Sequence, residues 1–195
     1  MIRKIVVILI RAFCYMVFRV KRVGKENVPK TGAYIMCANH TSNWDAPILV
    51  SCTPRRMHVM AKAELFKNKF IYWFAEKCCV FPVKRGGKDI DSMKHSLKVL
   101  KDGEILMLFP EGTRNGISKN GKAQNGAAFM ALRTGVPVIP VGIEGKMKPF
   151  HKVILHYGKP LDFSEYKSNK PEKEVLEKVS KEIMDNIIML TNENS

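Results

Sequence analysis

The stretch Asn39-His40-Thr41-Ser42-Asn43-Trp44-Asp45-Ala46-Pro47 follows directly on the apolar run Ala33-Tyr34-Ile35-Met36-Cys37-Ala38. A buried-looking strand that runs straight into a histidine, with an aspartate five residues later, raises the question of whether the two side chains meet. A helix cannot join the two side chains, because at about 100° per residue five positions set them about 140° apart. If His40 and Asp45 meet, a loop must fold one back onto the other. Asp45 then opens a short helix over Asp45–Ser51, with Asp45 at its cap and Pro47 in its first turn.

Outward from this junction, strand-like and helix-like segments alternate. Met57–Met60 reads as a strand, Lys69–Lys77 as a helix and Cys78–Val83 as a strand, with a break at Gly86-Gly87. Asp89–Lys101 reads as an amphipathic helix with Ile90, Met93, Leu97 and Leu100 on one face. Ile105–Phe109 and Val136–Ile143 are continuous apolar runs of the kind buried on both faces of a sheet. Between them lie a glycine-rich loop, Pro110 to Gly121, and a helix over Ala123–Thr134 stopped by Gly135. Val153–Tyr157 is a last strand, and Pro171–Leu190 a helix with Val175, Val179, Ile183 and Ile187 at helical spacing. The pattern predicts a single α/β domain with a central, largely parallel mixed sheet flanked by helices.

Charge is the unusual bulk property. Lysine and arginine outnumber acids 33 to 18 across 195 residues, a net +15. The excess is lopsided, with +13 in residues 1–100 and +2 in the remainder. The N-terminal half is therefore suited to an anionic partner: nucleic acid, anionic lipid or a phosphorylated substrate. The basic segments are aliphatic rather than interleaved with stacking aromatics, and no helix-turn-helix or RNA-recognition signature appears, which argues against nucleic acid. Five cysteines without a Cys-x-x-Cys pairing point to a reduced, cytoplasmic chain with neither disulfides nor structural zinc.

The first 25 residues carry seven bases and no acid. Their longest uncharged run is seven residues, far short of the about 20 that span a bilayer. Drawn as one helix through Arg22, Lys4, Arg11 and Arg22 share one direction, with Arg19 about 60° further round. That favours an amphipathic helix in the membrane interface, bases towards lipid phosphates; an amphipathic helix covering the protein's own core is the alternative.

In α/β sheets, loops after the carboxyl ends of strands form the binding crevice. His40 and Asp45 occupy one such loop, and Phe109-Pro110-Glu111-Gly112-Thr113-Arg114-Asn115 another. A histidine beside a carboxylate makes a general base near neutral pH, although His-x4-Asp alone also suits a helix cap and a loop hydrogen bond. Glu111, Gly112, Thr113 and Arg114 supply a carboxylate, a flexible backbone, a hydroxyl and a forked cation, or an ordinary solvated glycine turn. Lys84-Arg85 ends one strand and Lys62 follows another, each either a phosphate contact or surface.

Together and in order, Asn39–Asp45, Ala61-Lys62-Ala63-Glu64-Leu65 with Phe81–Gly86, Phe109–Arg114 and Val136–Val141 resemble the four motif blocks of the PlsC-type 1-acylglycerol-3-phosphate acyltransferases. The resemblance covers about residues 30–145, leaving residues 1–25 as an N-terminal membrane-interface helix ahead of an acyltransferase domain over residues 26–195. It implies transfer of an acyl group from acyl-CoA or acyl carrier protein to the 2-hydroxyl of lysophosphatidic acid, giving phosphatidic acid. No metal or other cofactor is implied. His40 would be the base, Asp45 its orienter and Lys62 or loop N–H groups the oxyanion donors. Arg85, Glu111, Gly112, Thr113 and Arg114 would hold the glycerol phosphate. The partners would be an anionic phospholipid membrane and the two substrates, at the cytoplasmic face of the cell membrane, peripheral or monotopic. Other acceptors, such as glycerol-3-phosphate or another lysophospholipid, and a non-catalytic basic binding protein remain as alternatives. Two departures stand out: Asn115 replaces the usual serine, and Gln124-Asn125 replaces a common Lys-Lys pair.

Overall fold

A computed structural model describes residues 2–83, 89–112 and 124–192. The helices are α1 (Ile2–Val17), α2 (Asp45–Cys52), α3 (Lys69–Lys77), α4 (Ile90–Lys101), α5 (Gly126–Thr134) and α6 (Lys173–Asn192). The strands are β1 (Arg19–Val23), β2 (Tyr34–Ala38), β3 (Met57–Lys62), β4 (Val80–Val83), β5 (Ile105–Leu108), β6 (Val138–Gly145) and β7 (Lys152–Tyr157). They form one seven-stranded sheet in the order β1-β7-β6-β2-β5-β3-β4. Every neighbouring pair is parallel except β6–β7, so β1 and β7 run against the other five. The expected largely parallel mixed sheet is present.

The two-residue period of β2 divides the core in two. Tyr34, Met36 and Ala38 face α1 and α2, packing with Cys14, Phe18, Ile48 and Leu49. Ile35 and Cys37 face α4, α5 and α6, against Leu100, Leu132, Val179 and Ile183. All five β2 residues are buried, which is why the strand reads as an unbroken apolar run. The close seating of α6 depends on Gly142 of β6, where a Cβ would come within 2.8 Å of the Leu190 backbone. All five cysteines are buried, and among the described residues none forms a disulfide.

Three expectations need correction. The N-terminal helix does not continue to Arg22: it ends at Val17, the buried ring of Phe18 turns the chain inward, and Arg19–Val23 becomes an edge strand paired to β7 from Arg19↔Lys152. Its bases do not all face outward either. Arg11 Nε donates to the Ser51 carbonyl at 2.7 Å and Arg22 Nη1 to that of Cys52 at 3.3 Å, so both close the carboxyl end of α2. The exposed face of α1 is apolar instead, formed by Ile5, Ile8, Leu9, Phe13 and Met16.

The third correction concerns α4, whose buried face is Ser92, Ser96, Val99 and Leu100, with Ile90 and Met93 exposed. The serines can go inward because Ser92 Oγ donates to the Asp89 carbonyl and Ser96 Oγ to that of Ser92, at 3.2 and 2.7 Å. Gly86-Gly87 lies outside the described residues. No described helix is long and apolar enough to cross a membrane.

Candidate active site

Where β2 ends, Asn39 extends the sheet by side chain rather than backbone. Its Nδ2 donates to the Ile143 carbonyl at 3.0 Å and its Oδ1 accepts the Ile143 N–H at 2.7 Å, forming one more rung with β6. The main chain is thereby released from the ladder while still fixed, and His40 is the first residue of the released loop. Sequence reasoning missed Asn39 because its partner lies 104 positions away.

The loop then wraps round a single carboxylate. Asp45 is fully buried, and its Oδ2 accepts from Thr41 N at 2.7 Å, Ser42 N at 2.8 Å and His40 Nδ1 at 2.8 Å. Thr41 Oγ1 adds a hydrogen bond to Oδ1 at 3.3 Å. Asp45 is therefore not the cap of α2 but its first residue, with Trp44 at the cap position and the carboxylate turned back into the preceding loop. Oδ2 is the acceptor for two backbone N–H groups, so the ring nitrogen that faces it, Nδ1, is the donor and carries the proton, and Nε2 presents its lone pair. Among the described residues Nε2 has no hydrogen-bond partner, and the imidazole remains 17% exposed.

The second loop supports the first from the side. The ring of Phe109 stacks on His40, centroids 4.0 Å apart and planes 13° apart. The buried carboxylate of Glu111 accepts the His40 backbone N–H at 2.9 Å. The structure thus brings together His40, Asp45 and Glu111, and it gives Glu111 an inward contact that the motif alone did not suggest. Gly112 has φ +66° and lies so close to Gln124 that a Cβ would collide with that side chain. Gln124, one of the two residues standing where a Lys-Lys pair is common, is thus packed against the loop. Asn125, the other, accepts the hydroxyl of Ser180 at 2.9 Å.

Lys62 is the exposed last residue of β3. It borders a cavity of about 310 Å³ whose lining includes Phe109, Pro110, Gly112, Gln124 and Met93. A larger cavity, about 560 Å³ and almost wholly apolar, lies between α1, α2, α3 and the sheet, with Trp44, Ala46 and Pro47 of the histidine loop in its wall. Arg85, Thr113 and Arg114 lie outside the described residues. Among the described residues, no group of three or more His, Cys, Asp or Glu side chains could hold a metal ion.

A buried carboxylate, an oriented imidazole and an open Nε2 thus meet at the carboxyl ends of parallel strands, where α/β sheets form their binding crevice. Comparison with known proteins shows the family. The sequence profile of the family described as Acyltransferase matches residues 19–144. A 1-acyl-sn-glycerol-3-phosphate acyltransferase of Bacillus subtilis is 33% identical over 179 residues, covering 89% of this chain and 88% of that protein. A Streptococcus pneumoniae protein of the same description is 31% identical, covering 71% of this chain and 54% of its own length. The crystal structure of the 1-acyl-sn-glycerophosphate (LPA) acyltransferase PlsC from Thermotoga maritima superposes with a TM-score of 0.66 at 29% identity, covering 94% of this chain and 80% of that one. The chain belongs to the PlsC-type 1-acyl-sn-glycerol-3-phosphate acyltransferase family.

Proposed function

We propose that this protein acylates lysophosphatidic acid to phosphatidic acid, with His40 as general base and an acyl thioester, acyl-CoA or acyl carrier protein, as donor. The observation that carries the reading is the His40–Asp45 pair, its Nε2 held outward by a buried carboxylate.

Nε2 takes the proton of the 2-hydroxyl as that oxygen attacks the thioester carbonyl carbon. The tetrahedral oxyanion collapses by breaking the carbon–sulfur bond, and the imidazolium returns its proton to the departing thiolate. The fixed negative charge of Asp45 stabilises the imidazolium between these two steps. The acceptor's own hydroxyl is the nucleophile, so no acyl-enzyme forms. Lys62 or loop N–H groups would receive the oxyanion. Arg114, with Arg85 and Thr113, would grip the phosphate through charge-assisted bonds and Gly112 would let it approach the backbone, while Glu111 fixes the loop that carries His40. The apolar cavity beside Trp44 suits an acyl chain, since each buried methylene contributes about 0.8 kcal/mol.

Both lipids stay in a bilayer, and the apolar stripe of α1 offers the means to meet them. Together with exposed Leu65, Ile71, Tyr72 and Trp73 around α3, it forms an apolar surface beside the cavity mouth. We place this face in one leaflet, at the cytoplasmic side of the cell membrane. The experiment is to supply purified protein with an acyl thioester, with and without lysophosphatidic acid, and follow thiol release. Release that requires lysophosphatidic acid supports the reading; release with glycerol-3-phosphate instead would reassign the acceptor, and none with either would refute it.

A further inference from the structure

At the end of the sheet opposite His40 lies a cavity of about 260 Å³, bounded by the start of β2, the end of β7, the segment after α2 and the turn after β1. Two side chains in its wall have buried polar atoms without a hydrogen-bond partner among the described residues: the hydroxyl of Tyr34 and Nη1 of Arg55. Both atoms are donors, and Tyr34 is wholly buried. Arg55 is otherwise well fixed, its Nη2 donating to the Gly103 carbonyl at 2.8 Å and its guanidinium lying over the Tyr34 ring at 5.6 Å. Buried donors are nearly always paired, so two unpaired donors on side chains that line one cavity point to a missing acceptor.

The rim has the matching charge. Arg22, Lys25 and Lys30 also line the cavity, against the single acid Glu26. Burial pushes the Tyr34 phenol up to about 12, against the smaller opposing pull of Arg55, so the hydroxyl keeps its proton and can donate at neutral pH. A carboxylate offers two oxygens to these groups. A phosphoryl group offers three, carries more charge and suits a forked guanidinium with ammonium groups around it.

We propose that this cavity is a second anion site, separate from the catalytic loops, which binds a phosphoryl group through the Tyr34 hydroxyl and Arg55, with Lys25 and Lys30 at its mouth. The five residues of β2 separate Tyr34 from the His40 loop, roughly 15 Å of extended chain, so the two sites do not share ligands. The phosphoryl group could belong to a soluble phosphate or to a lipid headgroup, which present the same oxygens.

The test uses full-length protein carrying Arg114→Ala, which removes the phosphate grip expected in the catalytic loop. Equilibrium dialysis with inorganic phosphate, at ionic strength matched with chloride, should show one saturable site per chain. Tyr34→Phe and Arg55→Gln should each weaken it by about tenfold or more, the loss of a hydrogen bond to a charged partner. Tyr34→Phe deletes only an atom that bonds nothing among the described residues, so its melting temperature without phosphate should equal or exceed the parent's. Parallel binding to glycerol 3-phosphate and to phosphatidylcholine vesicles with and without phosphatidate identifies the source. Tyr34-dependent binding of the soluble compounds assigns a soluble ligand, and Tyr34-dependent binding of phosphatidate vesicles alone assigns a headgroup. No saturable binding of any of these probes, or binding indifferent to both substitutions, overturns the proposal and leaves the cavity to ordered water.

Discussion

Two histidine–carboxylate pairs sit at opposite ends of the parallel strands of one sheet, and they differ in which partner is buried. His40 pairs through Nδ1 with Asp45, a carboxylate that is fully buried while the imidazole is partly exposed. His58, near the start of β3, pairs through Nε2 with Glu104, just ahead of β5, and there the imidazole is the more buried partner, at 10% against 27%. A third pair, His156 Nε2 with Glu144 at 2.9 Å, repeats the second arrangement across β6 and β7. A buried carboxylate with an outward imidazole leaves a ring nitrogen towards the crevice, as the proposed base requires. A buried imidazole with an outward carboxylate staples adjacent strands. Contact between the two residue types does not by itself distinguish a base from a staple; the order of burial is the difference on which the proposed base rests.

The sharpest way to break this contrast is to remove each imidazole in turn. His40→Ala should cut thiol release by about 10²- to 10⁴-fold, the usual worth of a general base, with little loss of stability. Asp45→Asn should cost less than or as much as His40→Ala, because the amide can still accept from Nδ1 but no longer stabilises an imidazolium. His58→Gln and His156→Gln should leave turnover within a few-fold and lower the melting temperature instead. Thiol release and thermal melts on the four variants decide the matter. Comparable losses of turnover from His58→Gln would erase the distinction.

The acceptor grip comes next in size. Arg114→Ala should raise the KM for lysophosphatidic acid on the order of tenfold or more, the loss of a hydrogen bond to a charged group, while the donor's KM barely moves. Arg114→Lys should restore only part, since a point charge cannot fork. A parallel rise in both KM values would give the arginine to the donor or to the fold.

How the site was legible differs from residue to residue. β2 and α3 fall at their expected ends because an unbroken apolar run and a bulky helical stretch are signals carried within the segment. His40 and Asp45 are five positions apart, so a local motif could bring them together. Asn39 and Glu111 were opaque in their roles because their partners are the backbones of Ile143 and His40, 104 and 71 positions away. Arg19–Val23 looked like more helix because its residues are mostly exposed and basic, with no apolar period to mark a strand. Arg11 and Arg22 misled for a related reason: a wheel shows which way bases point from a helix axis, not what lies opposite. Here the carbonyl end of α2 lies opposite, and its exposed acceptors draw the guanidinium groups inward.

That inversion makes its own prediction about the apolar face of α1, proposed to meet the membrane. Leu9→Ser with Met16→Ser should release the protein from phosphatidylcholine vesicles by several-fold, since each deletes apolar area that would enter the interface. Arg11→Ala should act mainly on stability, by about 1 kcal/mol, through the end of α2. Vesicle sedimentation and thermal melts on both variants separate the effects. If Arg11→Ala releases the protein more than the double variant does, the bases, not the apolar stripe, hold the lipid.

The smallest effect concerns the staple itself. Burial lowers the His58 pKa below its ordinary 6.5, and the positive charge of Arg56 and the nearby His95 push the same way, outweighing the opposing hydrogen bond to Glu104. In the pH range between the lowered value and 6.5 the unfolded chain therefore binds more protons at this position than the folded one. Stability from His58 is complete above 6.5 and drains away as pH falls through the folded value. The wild-type melting temperature should drop between pH 7.5 and 5.5, and His58→Gln, which cannot titrate, should lose less over the same interval. The glutamine side chain of that variant can still donate an amide hydrogen to Glu104, and the Arg56 ion pair at 3.2 Å survives, so a neutral version of the staple is kept. Other groups titrate in this range too, and the quantity to read is the difference between the two slopes. Equal slopes would mean that His58 takes up its proton as easily folded as unfolded, and that its burial does not set its charge.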